Sequence, residues 1–80
     1  MIKVNFHQFS MGDVDDVDIY VAQPIWEWQQ TEQGRWVMAH AHDLRYHTGA
    51  DLDTLGYRIT IRGELEPQHA TYYFLKYGRN

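Results

Sequence analysis

The chain contains no cysteine, only two prolines, and no apolar run long enough to cross a bilayer. Without cysteine there are no disulfides and no thiolate metal ligands to brace a small fold. A membrane helix needs about 20 apolar residues, and the opening stretch Met1-Ile2-Lys3-Val4-Asn5-Phe6-His7 lacks the apolar core of a secretory signal. The expectation is a domain in a reducing cytoplasm that uses no membrane. Cations are scarce as well, with seven Lys and Arg against eleven Asp and Glu, for a net charge of −4. The excess acid lies early: residues 1–30 carry Lys3 against Asp13, Asp15, Asp16, Asp18 and Glu27. A general nucleic-acid binder would show the opposite sign, so nucleic acid is an unfavoured partner.

What remains is one small domain, residues 1–80. A chain of this size buries only about 60% of its unfolded surface. Twelve of its 80 residues are Phe, Trp or Tyr, so large aromatic side chains must supply the core or else bind something. Three tryptophans sit close together, at Trp26, Trp28 and Trp36.

Hydrophobic periodicity assigns the elements. Ile2, Val4 and Phe6 alternate with polar neighbours as in a half-buried strand. Phe9 breaks the parity, which places the strand end near residue 9, with a turn over residues 10–13. Val14, Val17 and Val21 recur at helical spacing behind a run of aspartates, giving a short helix over 13–22. Pro24 suits the first position of a second helix, whose stripe is Ile25, Trp28, Glu32, Trp36 and Ala39. The rival reading of residues 24–41 is a hairpin with Gly34 at positive φ. Glu, Gln, Met and Ala favour the helix. Leu44 to His47 reads as a short strand, residues 48–54 as a loop, and Gly56 to Leu65 as a clearly alternating strand. Pro67 opens a last helix with Ala70, Tyr73, Phe74 and Tyr77 on one stripe and Gly78 as its stop. The expected fold is α+β in the order β-α-α-β-β-α, a small antiparallel sheet covered on one face by helices. Its expected core is Ile2, Val4, Phe6, Ile25, Trp28, Trp36, Ile59, Ile61, Phe74 and Tyr77.

Little in the chain points to chemistry. His40, His42 and His47 are the one metal-like constellation. On a helix, positions 40 and 42 diverge by about 200°, so polar histidines near a helix C-terminus are the simpler reading. Counting a calcium loop from Asp13 puts Asp18 where glycine is needed and Pro24 where glutamate is needed, which excludes it. Ser10 lies in no nucleophile elbow, Glu64 and Glu66 show no second group that would tune them, and the glycines lack phosphate-loop spacing. The expectation is a non-enzyme with no cofactor and no metal. Two surfaces could bind. Asp13, Asp15, Asp16 and Asp18 form an acidic patch suited to a basic protein partner. Tyr57, Tyr72, Tyr73 and Tyr77 beside Arg58, Arg62, Lys76 and Arg79 could stack single-stranded nucleic acid. Trp26 points away from the Trp28 stripe, so it either packs under the preceding helix near Val17 and Val21 or forms an exposed hot spot for a partner or a second copy.

The segments Phe9-Ser10-Met11-Gly12-Asp13-Val14, Gln23 to Glu32 and Gly34-Arg35-Trp36-Val37-Met38 resemble those of small proteins of T4-like tailed phages, the cyanophage type in particular. Gly56-Tyr57-Arg58 and Leu75-Lys76-Tyr77-Gly78 extend the likeness over most of the chain. The group has no assigned activity, so the resemblance carries over no functional residues. What it implies is a viral context: an accessory protein that binds a host or phage protein in the host cytoplasm, or a minor structural protein of the virion.

Overall fold

A computed structural model describes residues 1–12, 14–53 and 55–78. The elements are β1 (Ile2–Met11), α1 (Val17–Tyr20), α2 (Ala22–Gln29), α3 (Glu32–His40), β2 (His42–Asp51), β3 (Gly56–Leu65) and α4 (Pro67–Tyr77). The strands form one antiparallel sheet in the order β1-β3-β2. Phe6, His7, Ile61 and Leu65 face the helices, so the α+β class and the expected order hold.

The helical stretches divide where local chemistry demands it. Pro24 has no N–H to donate to the Tyr20 carbonyl four residues back. The helix accordingly steps between α1 and α2 at Val21, although Val21 keeps helical dihedrals. Pro24 therefore sits within the first turn of α2 rather than at its first position. The next break separates α2 from α3. The Thr31 hydroxyl donates to the Trp28 carbonyl at 2.6 Å and accepts from the Gly34 N–H at 3.0 Å, closing one helix and capping the next. Residues 24–29 and 32–40 thus belong to two helices, α2 and α3, and not to a hairpin. Gly34 is needed there for space, not for positive φ: a Cβ on it would collide with the Trp28 carbonyl.

Strand parity holds the main surprise. Val4 lies opposite Gly63, but the register shifts between Asn5 and His7, so Phe6 is an extra residue in β1. Before this bulge the even residues Val4 and Phe6 face the helices. After it His7, Phe9 and Met11 take that face, opposite Ile61, Ile59 and Tyr57. The parity break at Phe9 is therefore a bulge within a ten-residue strand, and Ser10 and Met11 belong to the strand rather than to a turn. β2 also bulges, between His42 and Arg45, where Asp43 takes a φ of 53°. It runs on through Thr48, Gly49 and Ala50 to Asp51, residues whose turn-like composition suggests a loop, because each pairs with β3.

The core joins Val4, Phe6, Trp28, Val37, Ile61, Leu65, Ala70 and Tyr73, with Phe9, Ile25, Trp36, Leu44, Phe74 and Tyr77 packed around it. Ile2 is exposed at the sheet end, and Glu32 and Ala39 are exposed, so the α3 stripe is carried by Val37 and Trp36 instead. The step at residues 30–31 rotates α3 relative to a continuous helix, which is why spacing counted through the break misplaces its buried face.

Candidate functional site

The helical side presents the first candidate surface. Asp16 caps α1, its carboxylate accepting from the Asp18 N–H at 3.1 Å. Asp18 in turn receives the Tyr46 hydroxyl of β2, an interaction that raises the Tyr46 phenol above its ordinary value. Both residues therefore have structural work. Asp15 is exposed and makes no hydrogen bond among the described residues, while Asp13 lies outside them. Behind these acids, Ile19, Tyr20 and Trp26 are 68%, 57% and 57% exposed. Ile19 and Trp26 are seven residues apart on the nearly continuous α1–α2 helix and so share a face. Trp26 does not pack beneath Val17 and Val21. Trp28 takes the buried position at 5% exposure, stacked on His7 with centroids 5.7 Å apart.

The histidines do not converge. His40 ends α3 with Nδ1 2.8 Å from the Trp36 carbonyl and its ring stacked on Trp36. Its ring neighbour is His69 of α4, at 4.7 Å, a residue that the His40-x-His42 spacing does not bring to notice. His42 starts β2, exposed, and His47 lies on the far side of the sheet. Among the described residues no group of three or more side chains could hold a metal ion.

The proposed tyrosine platform is likewise dispersed. Tyr73 is fully buried, with its hydroxyl on the Phe6 carbonyl. Tyr72 lies against Trp36 and receives the Lys76 ammonium. Tyr57 pairs with Met11 on the helix-facing side, whereas Arg58 and Arg62 point the other way.

That other side of the sheet is the second surface, and no helix among the described residues covers it. Across the strands run rows of Lys3 and His42 flanking Glu64, Asn5 and Arg45 flanking Arg62, Gln8 and His47 flanking Thr60, and Ser10 and Gly49 flanking Arg58. Four of the six described Lys and Arg side chains, Lys3, Arg45, Arg58 and Arg62, therefore share one face of an acidic protein. At one end Asp51 is buried, accepting from the Ser10 hydroxyl at 2.6 Å and from the Asp53 N–H at 3.1 Å, with Arg58 3.7 Å away. At the other end an open depression of about 420 Å³ is lined by Lys3, Asn5, Arg45, His47, Arg62 and Glu64, among others. Arg45 is clasped by Asp43 at 2.5 Å, which holds its guanidinium even more firmly protonated than usual. The strand alternation of Arg58 and Arg62 is legible in sequence, but their alignment with Arg45 and Lys3 needs the register.

No known protein family, no curated protein and no solved structure matches this chain.

Proposed function

We propose that the protein is a small non-enzymatic binding protein whose α1–α2 face docks on a basic, partly apolar surface of another protein. The carrying observation is the exposure of Ile19, Tyr20 and Trp26 beside Asp15, Asp16 and Asp18. A domain with a limited core gains stability by burying such side chains, so leaving three large ones outside favours a contact role. Acidic residues at the rim steer a basic partner and add specificity more than affinity. The phage resemblance makes a host or phage protein met in the host cytoplasm the natural partner.

Affinity capture from infected cells tests this reading when the wild type is compared with Trp26→Ala and Asp15→Lys. Asp15 is the informative acid, because Asp16 and Asp18 also hold α1 in place. A partner retained by the wild type and lost by both variants supports the proposal. A partner set unchanged by either variant removes this face from consideration.

A second reading, a minor structural protein of the virion, is favoured by the free edge of β2, whose residues Arg45 to Ala50 are all exposed, and by Leu52 and Leu55 at the open tip of the β2–β3 hairpin. A free strand edge is a template for pairing with another chain. Mass spectrometry of purified virions separates the two: a fixed copy number supports the structural role, and absence supports the host-directed one.

A further inference from the structure

We propose that the uncovered sheet face carries a binding site for the phosphate group of a small hydroxylated phosphate monoester, held by Arg62, Arg45 and Lys3. This site is separate from the α1–α2 surface and does not depend on it. Arg45 and Arg62 are directly opposed on neighbouring antiparallel strands. Like charges in that position destabilise a sheet. A protein with few cations has nonetheless aligned two of them there, with a third, Lys3, one row along on the far strand.

Neutralisation within the protein is incomplete. Asp43 engages Arg45, but Arg62 and Lys3 make no hydrogen bond or ion pair with any described residue. The guanidinium of Arg45 keeps further N–H donors beyond the one that Asp43 occupies. These three cations come from three different strands around one depression of about 420 Å³, within the size range of small-ligand sites.

A phosphate monoester fits this arrangement better than a carboxylate does. It carries roughly −1.5 to −2 charge at neutral pH and three terminal oxygens, one for each strand's cation, whereas a single Arg fork already satisfies a carboxylate. Asp43 and Glu64 border the same depression. They would repel a bare anion but accept hydrogen bonds from the hydroxyls of a sugar attached to it. His47 lies one row beyond Arg45 and supplies a further polar contact on the β2 side. Among the described residues no Phe, Tyr or Trp lines the depression and His47 is its single ring, so recognition rests on phosphate and hydroxyls more than on base stacking.

The test is a titration of isotope-labelled protein followed by amide NMR, using inorganic phosphate, ribose 5-phosphate, ribose and a single-stranded oligonucleotide as separate probes. Saturable shifts centred on residues 3, 45 and 62, tighter with ribose 5-phosphate than with inorganic phosphate, are expected. Arg62→Gln should weaken the sugar phosphate about tenfold, the size of effect typical for one charged hydrogen-bonding partner. Arg62→Lys should recover part of that loss, and Arg35→Gln, outside this face, should have no effect. Both positions are exposed, so the three variants should keep the wild-type amide spectrum elsewhere. Absence of saturable shifts, equal shifts with ribose alone, or binding insensitive to Arg62→Gln would each overturn the proposal. Preference for the oligonucleotide over ribose 5-phosphate would overturn the small-ligand assignment and give the face to a polynucleotide backbone.

Discussion

The Tyr73 hydroxyl donates to the Phe6 carbonyl at 3.1 Å while accepting from the Gln33 amide nitrogen at 2.6 Å, and Gln33 also donates to that same carbonyl at 3.0 Å. Phe6 is the bulged residue of β1, with no opposite number on β3. Two side chains, one from α3 and one from α4, therefore supply the partners that the sheet ladder does not. Burial raises the Tyr73 phenol above its ordinary value, which keeps it protonated as a donor. Tyr73→Phe should cost about 1–2 kcal/mol, because Gln33 still reaches the carbonyl but loses its own acceptor. Urea unfolding measures the loss, and a cost above that of a large-to-small core substitution would contradict this division of labour.

Gly34→Ala should destabilise the fold by about 1–3 kcal/mol, the usual cost of overpacking, although alanine is the better helix former by up to about 1 kcal/mol. The sign decides between propensity and space. The added methyl would run into backbone at Trp28, which cannot swing aside as a side chain could. A rise in thermal midpoint would show that the corner between α2 and α3 relaxes easily.

The two neighbouring tryptophans should respond in opposite ways. Trp28→Ala removes a buried ring and should cost about 3–5 kcal/mol. Trp26→Ala should leave stability nearly unchanged, as expected for an exposed position, and should instead reduce partner binding. Parallel denaturation curves check the first half and capture experiments the second.

Acid should weaken the protein through His7. Its partial burial against Trp28 lowers its pKa from the ordinary 6.5. Below that value the unfolded chain takes up a proton that the folded chain resists, so stability is full above 6.5 and falls as the pH drops through the folded value. His7→Phe should retain a ring against Trp28 and remove this part of the acid sensitivity. The comparison is of thermal midpoints at neutral and mildly acidic pH; equal slopes for both proteins would exclude His7 as a source.

Thr31→Ala should cost about 1 kcal/mol through loss of the cap on α3, with the larger share if the α2–α3 corner also loosens. Circular dichroism during thermal unfolding gives the value, and a cost indistinguishable from zero would mean that solvent replaces the hydroxyl at both of its contacts.

Much of this architecture could be read from the chain. Alternation located β3, and the 70, 73, 74, 77 stripe with its bounding proline and glycine located α4. What failed has a common cause, because counting residues assumes an unbroken period. The bulge at Phe6 inverts parity midway through β1, and the corner at residues 30–31 resets the phase of α3. Gly49 and Ala50 have weak strand preferences and are in register because β3 holds them. The acidic residues and Trp26 stood out in the sequence, and the structure leaves Asp15, Asp16, Asp18 and Trp26 exposed, although spacing alone left Trp26 open between exposure and packing under the preceding helix. The basic sheet face did not stand out, because Lys3, Arg45 and Arg62 are far apart in sequence and meet only through pairing.

The strand order β1-β3-β2 also governs when this protein can fold. Its central strand is the last of the three to leave the ribosome, so neither edge strand has its partner until residue 65 has emerged. Synthesis at about 5–20 residues per second leaves β1 waiting on the order of seconds with Val4, Phe6 and Phe9 unsheltered. Pairing β1 with β3 then closes a long loop, which slows the search relative to local contacts. The apolar face of β1 is thus the longest-unpaired part of the nascent chain. Folding yield is expected to depend on keeping Val4, Phe6 and Phe9 apart from other chains until β3 arrives, as well as on the stability of the finished fold.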